Sequence, residues 1–176
     1  MVNSRAELEQ LLEGKENQPL LLLYGALAMG TLIFASIVIA LYLQGGSSEK
    51  PPASDQVNLI RLLSLIHGAL LLATLTSSWI LFQARMARLP LQEAGRKLTE
   101  YIHNTWLIRA ALLEGTALFG LVICLLAGQG GVLSASPIYW VNLLSSVLFL
   151  LFLAATLPTR ARLLAILEDR LSSMHN

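Results

Sequence analysis

Charge is what this chain has least of. Lys, Arg, Asp and Glu make up 13% of its 176 residues, against roughly 25% in an ordinary soluble domain. A soluble chain of this length could not cover its surface with so little charge. A hydrophobic share of 55% and a mean hydropathy of +0.65 point the same way. The formal net charge of +1 lacks the basic footprint of a nucleic-acid partner. There is one cysteine, Cys124, inside an apolar stretch. It cannot form an internal disulfide, so it does not report a redox compartment and reads as a small packing residue. Catalytic groupings are missing too. The loops hold no Ser/His/Asp arrangement, no clustered metal-ligand spacing and no phosphate-cradling loop. His67, His103 and His175 fall far apart in the expected topology. The glycine-rich 128–131 follows no strand, so it reads as a helix cap and turn. The expectation is a non-enzyme with no catalytic residue, metal site or cofactor.

What the chain does have is four apolar runs, 19–43, 57–82, 105–127 and 138–157, each 20 to 26 residues long. A helix rises about 1.5 Å per residue, so about 20 residues cross a hydrocarbon layer of about 30 Å. The fold expected is all-α, an integral membrane four-helix bundle over 19–157. Short interfacial helices are expected at both ends, over 1–18 and 158–176. The first begins with the capping pattern Ser4-Arg5-Ala6-Glu7, and the second places Leu163, Leu164, Leu167 and Leu171 on one face. The first run is too long for a cleavable signal peptide and follows an acidic segment. A further surface helix is expected to start at Pro90 and to lead into the third run.

Lys and Arg set the orientation. Arg5 and Lys15 precede the first run, Arg85, Arg88, Arg96 and Lys97 separate the second from the third, and Arg160, Arg162 and Arg170 follow the fourth. Those nine share one side, Lys50 stands alone on the other, and Arg61 and Arg109 sit inside run ends. Such an excess predicts cytoplasmic termini and a cytoplasmic middle loop. Trp79, Trp106 and Trp140, with Arg61 snorkelling to the outer interface and Arg109 to the inner one, are the expected interfacial anchors. Gly25, Gly30, Gly68, Gly115 and Gly120 are the expected points of close helix approach. Asn142 lies just inside the fourth run.

Glu114 is the residue that most needs an explanation, because a carboxylate at the centre of a span costs about 2.5–3.5 kcal/mol on insertion scales. His67 is about ten residues into the second run, at a similar depth on an opposite-running helix. Three readings of Glu114 compete. It forms a structural pair with His67 or with hydroxyl groups; it binds a proton or cation, with His67 as a second candidate; or it meets a polar group of another membrane protein.

Residues 25–34 and 110–119 agree at five of ten positions, including Gly30-Thr31 with Gly115-Thr116 and Phe34 with Phe119. The match suggests two duplicated helical hairpins, with Met29 in the place of Glu114, although small apolar alphabets also produce such matches by chance. The nine residues Glu114-Gly-Thr-Ala-Leu-Phe-Gly-Leu-Val122 resemble the carboxylate helix of rotor-ring proteolipids of ATP synthases and vacuolar-type ATPases. That resemblance implies a proton- or sodium-carrying role for Glu114. Over most of its length the chain resembles an uncharacterised group of small four-helix bacterial inner-membrane proteins. The resemblance rests on Arg109-Ala-Ala-Leu-Leu-Glu-Gly115 and Pro158-Thr-Arg160. It implies the bacterial inner membrane as location and carries no activity. The expected partners are the lipid bilayer and either a second copy or another membrane protein. The expected function is a non-enzymatic component of an oligomer or membrane complex, with a small proton- or cation-linked transporter using Glu114 as the alternative.

Overall fold

A computed structural model of the chain describes residues 18–45, 51–88 and 96–157. The interfacial helices expected at the termini and the helix start expected at Pro90 lie outside the described residues. Four stretches are long and apolar enough to cross a membrane. Helix α1 spans Gln18–Gly45, α2 Ser54–Ala87 and α3 Arg96–Gln129. A single helical turn, α4 (Val132–Ala135), leads into the fourth span, a 3-10 segment over Pro137–Leu143 continued by α5 over Leu144–Ala155. No strand occurs among the described residues.

Local chemistry explains these limits. Pro19 sits in the first turn of α1, where its missing N–H is no loss. α2 starts after Pro51 and Pro52, with Asp55 in its first turn and Arg85 in its last, the signs the helix dipole favours. α3 stops at Gly130 and Gly131. The Gly131 backbone turns left-handed at φ 70°, and its N–H reaches the Gly128 carbonyl at 3.1 Å. The surface helix expected before the third span is the first part of α3 itself. Tyr101 ties it to the end of α2, donating from its hydroxyl to the Arg85 carbonyl at 3.1 Å while its ring lies 5.1 Å from the Arg85 guanidinium carbon. The fourth span has only 19 residues. Seven of them are wound as 3-10 helix at about 2.0 Å per residue. This stretches the span to about 32 Å, against about 28 Å for plain α-helix.

α3 is the central element and touches every other one. α1 lies along one side of it and α2 along the other. The fourth span packs over the face between them, its 3-10 half against α2 and α5 against α1. The proximal end of the bundle, where α1 and α3 begin, is filled by Tyr24, Trp106, Ala110, Ala117, Phe149 and Leu153. The distal end is filled by Ile60, Ile123, Ala127, Val132 and Leu133, with Val38, Leu121 and Cys124 beside them. α1 and α2 barely meet. The first hairpin is therefore wedged open by α3, whereas α3 and α5 pack directly, so the two proposed halves are not packed alike. The internal match has a spatial side all the same. α1 and α3 run parallel, with Tyr24 near Trp106 and Val38 near Leu121 and Cys124.

The side chains are distributed inside out relative to a soluble protein. Leu22, Leu43, Leu65 and Leu72 are exposed, Leu72 to 69%. Thr31, His67, Thr74, Ser78, Thr116, Asn142, Ser145 and Ser146 are buried. Water would not tolerate an apolar surface this continuous. Lipid does, and in lipid helix contacts rest on close packing and polar groups instead of hydrophobic burial.

Candidate functional site

The most developed polar cluster lies between α2, α3 and the fourth span. Ser64 and His67 share one face of α2, three residues apart, and His67 is 3% exposed. Across from them the 3-10 segment presents Asn142. Its Nδ2 donates to Ser64 Oγ and to the Tyr139 carbonyl, both at 2.9 Å. A carbonyl can only accept, so the amide nitrogen must face it and Oδ1 must face His67. The His67 Nδ1···Asn142 Oδ1 distance is 2.9 Å. Nδ1 therefore carries the proton, and in the neutral ring Nε2 is left as a bare acceptor. Nε2 is buried without a partner among the described residues. The Phe119 ring stands edge-on to the imidazole at 5.8 Å. Ser145 Oγ donates to the Asn142 carbonyl at 3.0 Å, and Ser146 Oγ donates to the Ala117 carbonyl at 3.1 Å, which fastens the fourth span to α3.

Gly120 makes this approach possible. A Cβ at that position would overlap the Asn142 carbonyl oxygen and Ser145 Oγ, and would sit 2.8 Å from His67 Cε1. The other expected packing glycines behave differently. At Gly25, Gly30, Gly68 and Gly115 a Cβ would meet nothing within 4 Å. None of those four is a point of close approach within the described chain. On α1 the buried stripe is Tyr24, Thr31 and Val38, seven residues apart, and it turns Gly25 and Gly30 outward.

Glu114 and His67 are not brought together. His67 packs on Phe119 and Gly120. Glu114 is five and six residues away from these, turned by about 140° and about 120° around α3. Glu114 is half-buried and has no hydrogen-bond or ion-pair partner among the described residues. The hydroxyl two residues further along faces another way, since Thr116 Oγ1 donates to Thr74 Oγ1 of α2 at 3.0 Å. Among the expected anchors, Trp79 and Arg61 are exposed, and Trp140 is half-buried with its ring edge-on to Tyr42 at 5.1 Å. Trp106 is buried among the four spans. Arg109 is drawn in as well. Its Nε donates to Ser78 Oγ at 3.0 Å, and its guanidinium carbon lies 4.8 Å from the Phe82 ring centre and 4.7 Å from that of Phe152. Both are expected as interfacial anchors, and in the fold their side chains turn into the bundle instead of towards lipid. Aromatic faces attract a cation strongly once water is excluded, and this favours the inward rotamer of Arg109.

Among the described residues no three His, Cys, Asp or Glu side chains come together as a metal site. What the His67–Asn142–Ser64 chain can do is fix one histidine tautomer and lock two spans, α2 and the fourth, in register. Sequence reasoning placed Asn142 but did not tie it to His67, which is 75 residues away. The shared face of Ser64 and His67 was the available signal. Compared with known proteins, the chain matches no protein-family model, no curated protein and no solved structure. The fold and its lipid-facing surface define a multi-pass, all-helical membrane protein.

Proposed function

We propose that this chain is a non-enzymatic component of a membrane assembly, set in a bacterial inner membrane with both termini cytoplasmic. The observation that carries this reading is Glu114, a half-buried carboxyl in the third span with no partner among the described residues. Left in lipid as a charge it costs about 2.5–3.5 kcal/mol, and a polar group from a second membrane protein removes that cost. The outward-turned Gly25 and Gly30 support the same reading, because small residues let a neighbouring helix come close. The transporter alternative rested on Glu114 together with His67. His67 is committed to Asn142 on another side of α3, so that alternative keeps only the carboxyl.

The test is native mass spectrometry of the protein gently extracted from its own membrane, compared with Glu114→Gln and Glu114→Leu variants. The expected outcome is an oligomer or complex whose affinity drops roughly tenfold on Glu114→Leu, the worth of one interhelical polar contact of 1–2 kcal/mol. The isolated Glu114→Leu chain should unfold at a higher temperature than the parent. A monomeric parent whose Glu114→Gln variant loses pH-dependent ion flux in vesicles would reject assembly in favour of transport.

A further inference from the structure

Next to Arg109 the proximal end of the bundle holds a half-open cavity of about 150 Å³, to which all four spans contribute. Arg109, Tyr24 and Trp106 are donor-bearing side chains around it. Arg109 uses Nε on Ser78, and its terminal nitrogens form no hydrogen bond among the described residues. Tyr24 and Trp106 also line the cavity, Tyr24 2% and Trp106 5% exposed, and the Tyr24 hydroxyl and Trp106 Nε1 are buried without a partner among the described residues. Thr156 stands beside Tyr24 with its hydroxyl donating to the Phe152 carbonyl at 2.7 Å, and the Tyr24 hydroxyl has no hydrogen-bond partner among the described residues. Buried donors in native proteins are rarely left unpaired. Two orphan donors beside a guanidinium with free terminal nitrogens favour an acceptor-rich occupant, of which an anion makes the strongest bonds. The walls are the Phe82 and Phe152 rings that sandwich the guanidinium.

We propose that this cavity is a binding site for a phosphate-type oxyanion, with Arg109, Tyr24 and Trp106 as its donors. The anion accepts from the Arg109 terminal nitrogens, the Tyr24 hydroxyl and Trp106 Nε1, and any ester arm leaves through the open side. A volume of about 150 Å³ admits a group the size of benzene, so it takes a headgroup phosphate but not acyl chains. Depth favours a lipid as the source. The cavity is at the last turn of the fourth span, which ends at Ala155, where headgroups meet hydrocarbon. The inference does not depend on Glu114 or on the assembly reading.

The test uses the full chain, delipidated in a zwitterionic detergent, with short-chain phosphatidylglycerol, diacylglycerol of the same chain length and inorganic phosphate as probes, read by native mass spectrometry. One phosphatidylglycerol per chain should be retained, and diacylglycerol should not. Tyr24→Phe with Trp106→Phe removes two donors while keeping an aromatic ring at each position, and should weaken phosphatidylglycerol binding at least about tenfold. Arg109→Gln should weaken it further. Competition by millimolar inorganic phosphate identifies a free anion as the natural source; absence of competition identifies the lipid. Equal retention of diacylglycerol, or parental affinity in the folded Tyr24→Phe, Trp106→Phe double variant, overturns the proposal.

Discussion

Gly120→Ala destabilises the fold by about 1–3 kcal/mol, the usual range for overpacking a tight contact. The same change at Gly25, Gly30, Gly68 or Gly115 leaves it unaltered or raises stability by up to about 1 kcal/mol. The difference comes from what the new methyl meets. At Gly120 it overlaps a backbone oxygen of the fourth span, the Ser145 hydroxyl and the His67 ring. A long flexible side chain could swing away from a methyl, but these groups are held. The Asn142 carbonyl is part of a 3-10 segment and accepts from Ser145, and the His67 ring is fixed by Asn142 and by Phe119. The fourth span must therefore retreat from α3, which stretches the polar cluster. At the other four glycines the methyl enters open space, and alanine is simply the better helix former. Thermal unfolding in a mild detergent, followed by circular dichroism, checks both halves of the statement. A Gly120→Ala chain as stable as the parent would mean that the fourth span does not approach α3 this closely. Gly120→Leu should lower stability further and reduce the yield of folded protein.

The four spans were readable because lipid imposes a coarse rule, about 20 apolar residues per crossing, and each run met it. The packing order was not readable. In lipid no hydrophobic gradient tells a helix which face to bury, so the patterns that orient helices in water are weak here. Small residues are the contact faces that the sequence suggests. On α1 the contact stripe instead runs through Tyr24, Thr31 and Val38, and of the five glycines only Gly120 approaches another span closely. The winding of the fourth span was hidden too. Pro137 announces a helix start but not seven residues of 3-10 helix, and it is that winding that aims Asn142 at His67. His67 and Glu114 stood out because polar side chains in apolar runs are costly and need partners. Depth alone paired them. Depth fixes height along the bundle, whereas a contact also requires the right angle around α3, and that angle depends on how three other helices share its surface.

Asn142→Leu, which keeps the branching and heavy-atom count of the side chain, should be among the most damaging substitutions, with a loss of about 2–4 kcal/mol. One change removes the acceptor for His67 Nδ1 and the donor to both Ser64 and the Tyr139 carbonyl. The three groups left behind are not equally harmed. The Ser64 hydroxyl can turn back to a carbonyl of its own helix, as Thr74 and Thr76 do at 2.7 and 2.9 Å. The Tyr139 carbonyl still has the Cys124 thiol at 3.8 Å. The His67 ring has neither option. It is packed by Gly120 and Phe119, already has an unpartnered Nε2, and loses the bond at Nδ1. A buried polar group stranded in this way costs about 1–3 kcal/mol, more than an ordinary intramembrane hydrogen bond contributes. The converse change, His67→Leu, should cost only about 1 kcal/mol, because Asn142 keeps its bonds to Ser64 and Tyr139. It follows that Asn142→Leu combined with His67→Leu should be more stable than Asn142→Leu alone, since no imidazole remains to strand. A double-mutant cycle on unfolding free energies measures this coupling directly. If the two losses simply add, His67 and Asn142 are not bonded and the α2 to fourth-span contact has to be redrawn.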